Sequence, residues 1–276
     1  MAMGFSPTQS RPGLSVQAEG ARRVTRSLPD EVPVALVFDG TTHAVMMATP
    51  DDIADFAHGF ALTEGIVTDS EQVEDFEIVE HERGIEARFW LREDRQDALT
   101  ARRRFMAGPV GCGLCGIDSL EQAIRPLPRV APHGPTFSPL QIARATDALR
   151  DSQPLHDLTH ATHAAGFILP GEAMPRVVRE DVGRHNALDK LIGALLKSGI
   201  DPSTGAVVMT SRLSVELVQK CAMAGCAVLI AVSAPTAHAL RLAETSGITL
   251  AAFARQGGFD LYSHPHRITD EVHDVA

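Results

Sequence analysis

Between residues 206 and 253 short apolar runs alternate with stretches of helical periodicity, and this alternation restricts the possible architectures more than any other feature of the chain. Residues 206–209, 228–232 and 249–253 read as short buried strands, and 214–224 and 235–245 read as helices between them. Strand, helix, strand, helix, strand implies right-handed crossovers and predicts a mainly parallel core sheet. Upstream, Ser138-Pro139 predicts a capped helix to Arg150.

The first half reads differently. Residues 34–38 and 44–47 flank Asp39-Gly40-Thr41-Thr42 as a hairpin, and Thr49-Pro50-Asp51-Asp52 predicts an N-cap and first turn of a helix running to Glu64, where Gly65 stops it. Two more strands, 73–79 and 85–91, surround His81-Glu82-Arg83-Gly84, and a short helix is expected over 97–105. The Pro- and Gly-rich passage from Pro126 to Pro135 marks a domain boundary. The expected organisation is a flexible polar arm over 1–30, an α+β domain over 31–135 and an α/β domain over 136–276, giving an α/β protein as a whole.

Composition removes several classes of function. The 276 residues are 44% hydrophobic and 22% charged, enough for a proper core, and the formal net charge of −10 offers no general basic surface for nucleic acid. No apolar run approaches the ~20 residues of a membrane span, and the N-terminus lacks the apolar stretch of a signal peptide, so a cytoplasmic protein is expected. Four cysteines in a chain of this length do not make a secreted disulfide framework.

Two of those cysteines carry the chemistry. Gly111-Cys112-Gly113-Leu114-Cys115-Gly116 places paired thiols in a stretch with almost no side-chain bulk. Its match to a dinucleotide fingerprint is accidental, since Arg102-Arg103-Arg104-Phe105-Met106-Ala107-Gly108-Pro109 is no buried strand. Glycine-level access, the run Arg102 to Arg104 and a helix start at Ser119-x-x-Gln122 all favour the reactive thiolate, for Cys112 or Cys115 alike. A thioredoxin-like oxidoreductase would need its own preceding strand, which is missing. A four-thiolate zinc site would need Cys221 and Cys226, which read as core cysteines, so no metal site is expected.

In a parallel sheet, ligands bind beyond the carboxyl ends of the strands. Three loops there are polar: Thr210-Ser211-Arg212, Ser233-Ala234-Pro235-Thr236 and Ala254-Arg255-Gln256-Gly257-Gly258. The first two open helices and the third sets a guanidinium beside glycines, which suits a phosphate-bearing ligand; the plainer alternative is that Ser211 and Ser233 only cap helices. A fourth polar cluster, Asp181-Val182-Gly183-Arg184-His185-Asn186-Ala187-Leu188-Asp189-Lys190, precedes an apolar stretch; it reads either as a salt-bridged helix start, with His185 facing Asp189 and Asn186 facing Lys190, or as part of a ligand site.

From residue 34 to residue 268 the chain resembles the FdhD/NarQ-type formate dehydrogenase accessory sulfurtransferases. The likeness rests on the 111–116 loop, the 181–190 cluster, Thr210-Ser211-Arg212-Leu213-Ser214, Ala231-Val232-Ser233-Ala234-Pro235-Thr236 and Tyr262-Ser263-His264-Pro265. The resemblance implies a three-layer, cytidine-deaminase-like α/β second domain and sulfur transfer: a cysteine desulfurase loads a persulfide onto Cys112, Cys115 assists, and the sulfur reaches the molybdenum cofactor before insertion into the formate dehydrogenase catalytic subunit. It further implies a homodimer, and a bis-molybdopterin guanine dinucleotide cargo held by Phe253, Ala254, Arg255, Gln256, Gly257 and Gly258; its pyrophosphates fit the anion site read above from the strand-end loops and the polar cluster, with Ser211, Arg212, Ser233, Thr236, Asp181 and His185 as the further candidate residues. Deamination is excluded, since no His-x-Glu occurs and Gly111, not proline, precedes Cys112. The rival readings are a cofactor-binding chaperone with incidental thiols and a thiol–disulfide oxidoreductase.

Overall fold

The computed structural model describes residues 4–92 and 127–269. Cys112, Cys115 and the helix expected over 97–105 lie outside the described residues. The observed class is mixed α/β, arranged around two main sheets.

The chain begins with an antiparallel hairpin, β1 (Thr8–Gln17) and β2 (Gly20–Pro29), where the sequence reading expects a flexible arm. Nearly every residue of the pair is exposed or half-exposed, so no apolar face imposes the period-2 pattern by which strands are recognised. The next four strands form one sheet in the order β4-β3-β6-β5: β3 (Val32–Phe38), β4 (Thr41–Ala48), β5 (Val73–His81) and β6 (Gly84–Leu91). β3 and β4 are joined by Asp39-Gly40 alone, both at positive φ (48° and 72°), as a two-residue type I′ connection requires.

Helix α1 (Ile53–Thr63) covers this sheet, and Phe56, Phe60 and Ala61 are buried there. Its start differs from the expected one. The N-cap is Asp52 in the left-handed region, and Thr49 is bound elsewhere, by Asp181, Val182 and Lys190. The expected stop holds, with Gly65 at φ 71°.

The second sheet has six strands in the order β12-β11-β10-β9-β7-β8: β7 (His163–Ile168), β8 (Val177–Asp181), β9 (Ala206–Met209), β10 (Val228–Ala231), β11 (Thr249–Arg255) and β12 (Gly258–Ser263). Only β9, β10 and β11 are mutually parallel; β7 runs against β9, β8 against β7, and β12 against β11. The expected parallel core is therefore the centre of a mixed sheet. Helix α2 (Pro139–Arg150), capped by Ser138 as expected, packs on one face over Ala164, Val208, Ile230 and Ala251. The short α3 (Pro154–Thr159) follows it, and α4 (Arg184–Lys197), α5 (Val215–Met223) and α6 (Ala237–Ser246) cover the other face. The half after residue 136 is thus three-layered.

One continuous apolar core joins the two sheets through α1 and α4. A Cβ at Gly59 would lie 1.8 Å from the Asp189 carbonyl oxygen, and one at Gly193 would lie 1.9 Å from that of Asp55. The two helices touch backbone to backbone because both positions lack side chains. Cys221 and Cys226 are fully buried in this same core, as the sequence implies.

Candidate functional site at the strand ends

The parallel direction of β9, β10 and β11 sends residues 210–214, 232–236 and the end of β11 to one edge of the sheet. The antiparallel β7–β8 pair brings His163 and Asp181 to that edge too, since these residues are opposite each other and Ala165 faces Met209. Backbone bonds then join the loops. Leu213 N donates to Ala234 O (3.1 Å), Thr236 N to Leu213 O (3.0 Å), Val232 N to Met209 O (3.2 Å) and Phe253 N to Ser233 O (3.5 Å). The three loops picked from sequence are one contiguous surface.

Their side chains play different parts. Ser211 is buried and donates to the Arg212 carbonyl at 3.0 Å, while Arg212 itself is exposed. Neither Ser211 nor Ser233 caps a helix: the N-caps are Ser214 for α5 and Thr236 for α6, and the Thr236 hydroxyl accepts from Ala239 N at 3.1 Å. Arg255, Gln256, Gly257 and Gly258 are exposed, and here the structure replaces the expected loop with a hairpin turn. Gln256 and Gly257 are its two central residues, at φ 54° and 77°, and Arg255 pairs with Gly258. Phe253 is half-buried at φ 52°, and Ala254 is fully buried.

The cluster at 181–190 makes long-range contacts instead of the expected ion pairs within its own helix. Asp181 is fully enclosed: its carboxylate accepts from Thr49 N (2.9 Å), Gly183 N (2.8 Å) and Asn186 Nδ2 (3.1 Å), and pairs with Lys190 Nζ (2.8 Å). Enclosed by these partners, it braces the strand-end edge from within. Lys190, also fully buried, donates to the carbonyls of Thr49 (3.0 Å) and Glu180 (3.3 Å). Asp189 pairs with Lys220 (2.8 Å) and accepts from the Thr63 hydroxyl (2.7 Å), and burial pushes its carboxyl up against the pull of that lysine.

His185 lies in the first turn of α4, against the start of α5. Its Nε2 lies 3.3 Å from Ser214 Oγ and 3.8 Å from Glu216 Oε2. Burial, and after it the Arg184 guanidinium, lowers its pKa to about 4, so the ring is neutral near pH 7. His163 is lowered by the same two causes in the same order. The edge therefore presents the exposed guanidinium groups of Arg212 and Arg255 and an exposed glycine turn, while the neutral imidazole and the Ser211, Ser214 and Thr236 hydroxyls bond within the protein. This donor set suits a phosphate ester; among the described residues no three His, Cys, Asp or Glu side chains gather to hold a metal ion.

Sequence reading missed Ser214 and Glu216 as partners of His185, Thr49 as an anchor of Asp181, and the strands β7, β8 and β12. The helical hydroxyl of Thr146, bonded to the Ala254 carbonyl, carried no local signal.

Residues 29–269 match the model of the FdhD/NarQ family. The chain belongs to that family. It is 51% identical over 243 residues to the sulfur carrier protein FdhD of Agrobacterium fabrum, covering 88% of this chain and 89% of that one. With the protein of the same name from Brucella abortus the identity is 52% over 257 residues, 93% of this chain and 95% of the relative. A crystal structure of a protein described as a formate dehydrogenase accessory protein, from Desulfotalea psychrophila, superposes with a TM-score of 0.76 at 23% identity, over 96% of this chain and all of that one. At that identity the likeness establishes a shared fold. Within the family-matched span lie all the strand-end loops and the Cys112–Cys115 pair, whereas β1 and nearly all of β2 precede it.

Proposed function

We propose that this chain is a sulfur carrier for formate dehydrogenase maturation, with Cys112 as the sulfur-bearing residue and the strand-end crevice as the seat of the acceptor. The observation that carries the reading is the combination of roughly half-identical relatives named as sulfur carriers with an unbroken edge of phosphate-compatible loops. The Cys112 thiolate attacks the outer sulfur of a persulfide on a cysteine desulfurase. The bond to the desulfurase sulfur breaks, that sulfur leaves as thiolate, and Cys112 holds the persulfide with no net oxidation.

The acceptor we assign is bis-molybdopterin guanine dinucleotide, bound as cargo. Arg255 and Arg212 answer its pyrophosphates, the Gln256-Gly257 turn lets backbone approach closely, and Phe253 lies beside the loop after β10. His185, neutral near pH 7, serves as a hydrogen-bonding group there and adds no charge. Cys115 assists either by hydrogen-bonding the persulfide or by forming a disulfide with Cys112 that expels the sulfur. The catalytic subunit of formate dehydrogenase receives the cofactor, and the carrier works as a homodimer in the cytoplasm. No helix among the described residues is long and apolar enough to cross a membrane.

The test is mass spectrometry of the chain after incubation with a cysteine desulfurase and cysteine. A gain of about 32 Da, one sulfur atom, on the Cys112 peptide, absent in Cys112→Ala, is expected. No adduct, together with retained guanine-nucleotide binding, would turn the assignment to a cofactor chaperone; reduction of protein disulfides by the chain would turn it to an oxidoreductase.

A further inference from the structure

Phe253 departs from the strand it belongs to. Along β11, Leu250 and Ala252 pack in the core under α4, α5 and α6, while Ala251 and Ala254 pack under α2 on the opposite face. Strict alternation would send residue 253 to the α2 face with Ala251. Instead Phe253 packs with the first group, so two consecutive side chains share one face. The cause is local. Ala252 pairs with Asp260 and Arg255 with Gly258, which leaves one extra residue on β11, and Phe253 takes a φ of 52°, a region that a bulky aromatic residue rarely occupies.

A strained residue persists only where its surroundings hold it. Two bonds do so from opposite sides. Phe253 N donates to the Ser233 carbonyl in the loop after β10, and the hydroxyl of Thr146, buried on α2, donates to the Ala254 carbonyl. Were the Thr146 hydroxyl removed, a buried carbonyl would lose its side-chain donor, and a relaxed β11 would turn residue 253 away from the crevice loops.

We propose that Thr146, which has no place in the strand-end loops themselves, is a positioning residue that acts through the Ala254 carbonyl to keep the Phe253 ring on the α4–α6 face of β11, beside the Ser233 loop, as a platform for the planar base of a nucleoside diphosphate moiety. The inference rests on the cofactor-binding reading above and assigns its base-recognising end. The phosphates fall to Arg212, Arg255 and the glycine turn, which Thr146 does not touch. Thr146 therefore governs affinity for the base and leaves affinity for the phosphates alone.

Calorimetric titration of the full chain with guanosine diphosphate and, separately, with inorganic pyrophosphate separates these parts. Thr146→Val, nearly isosteric but without the donor, is expected to weaken the nucleotide about five- to tenfold and to leave pyrophosphate within about twofold. Thr146→Ser, which keeps the hydroxyl, restores nucleotide affinity. Equal losses of both ligands in Thr146→Val, or no recovery in Thr146→Ser, would make Thr146 an ordinary packing residue and overturn the proposal. Unchanged nucleotide affinity in Thr146→Val overturns it alone, whereas failure of the wild-type chain to bind guanosine diphosphate overturns the cofactor-binding reading beneath it.

Discussion

At position 185 burial and a neighbouring guanidinium act in the same direction. Both disfavour the imidazolium, so the folded pKa of about 4 lies below the ordinary 6.5. Above pH 6.5 both folded and unfolded chains hold a neutral ring and the effect vanishes. As pH falls from 6.5 towards 4 the unfolded chain takes up a proton that the folded one refuses, so stability drops, by roughly 3 kcal/mol at the lower limit. His58 and His163 are lowered too and add to the same trend. Urea unfolding at pH 7.5, 6 and 5 checks this, and His185→Gln is expected to flatten the dependence. Arg255 is exposed beside the Gln256-Gly257 turn, so Arg255→Ala is expected to cost little stability. If it meets pyrophosphate, as we propose, its loss weakens guanosine diphosphate about tenfold in a direct titration. An unchanged affinity would remove the third loop from the phosphate site.

At the scale of elements, the α1–α4 contact holds the tightest glycine approaches among the described residues. Gly59→Ala would drive a methyl group into the Asp189 carbonyl, a backbone obstacle that no rotamer change relieves, and a loss of at least about 3 kcal/mol is expected on thermal or chemical denaturation. Gly40→Ala makes a control for glycine removal in general, since open space surrounds that position and only its φ of 72° is strained. The elements also differ in how openly the sequence declares them. β9, β10 and β11 are central and buried on both faces, so they read as continuous apolar runs. β8 and β12 are edge strands with exposed or half-exposed residues, and in β7 only Phe167 and Ile168 are strong strand formers, after His163, two alanines and a glycine. The start of α1 differs from its expected place for a related reason: Thr49 is a residue type that caps helices, but its hydroxyl accepts from Val182 N.

For the whole molecule, the buried ion pair of Lys190 and Asp181 ties the halves together, because both partners also hold the Thr49 backbone from the end of the first sheet. Lys190→Met leaves a fully buried carboxylate without its cation, and a loss of about 3 kcal/mol or more is expected; in a double-mutant cycle, adding Asp181→Asn should cost less than the two single changes summed. The strand-end loops of the candidate site were legible because crossover topology dictates where they meet. Asp181, read as a ligand group, and Thr146, not read at all, were opaque for a common reason: their partners lie 132 and 108 positions away in the chain. The same Lys190 contacts bear on how such a protein can be inherited. Were the polypeptide divided near residue 130 and the fragments made apart, the second would keep the Lys190–Asp181 pair but lose both of its bonds to the Thr49 backbone and open the pair to water. Two separately made pieces would have to restore those Thr49 bonds each time they met.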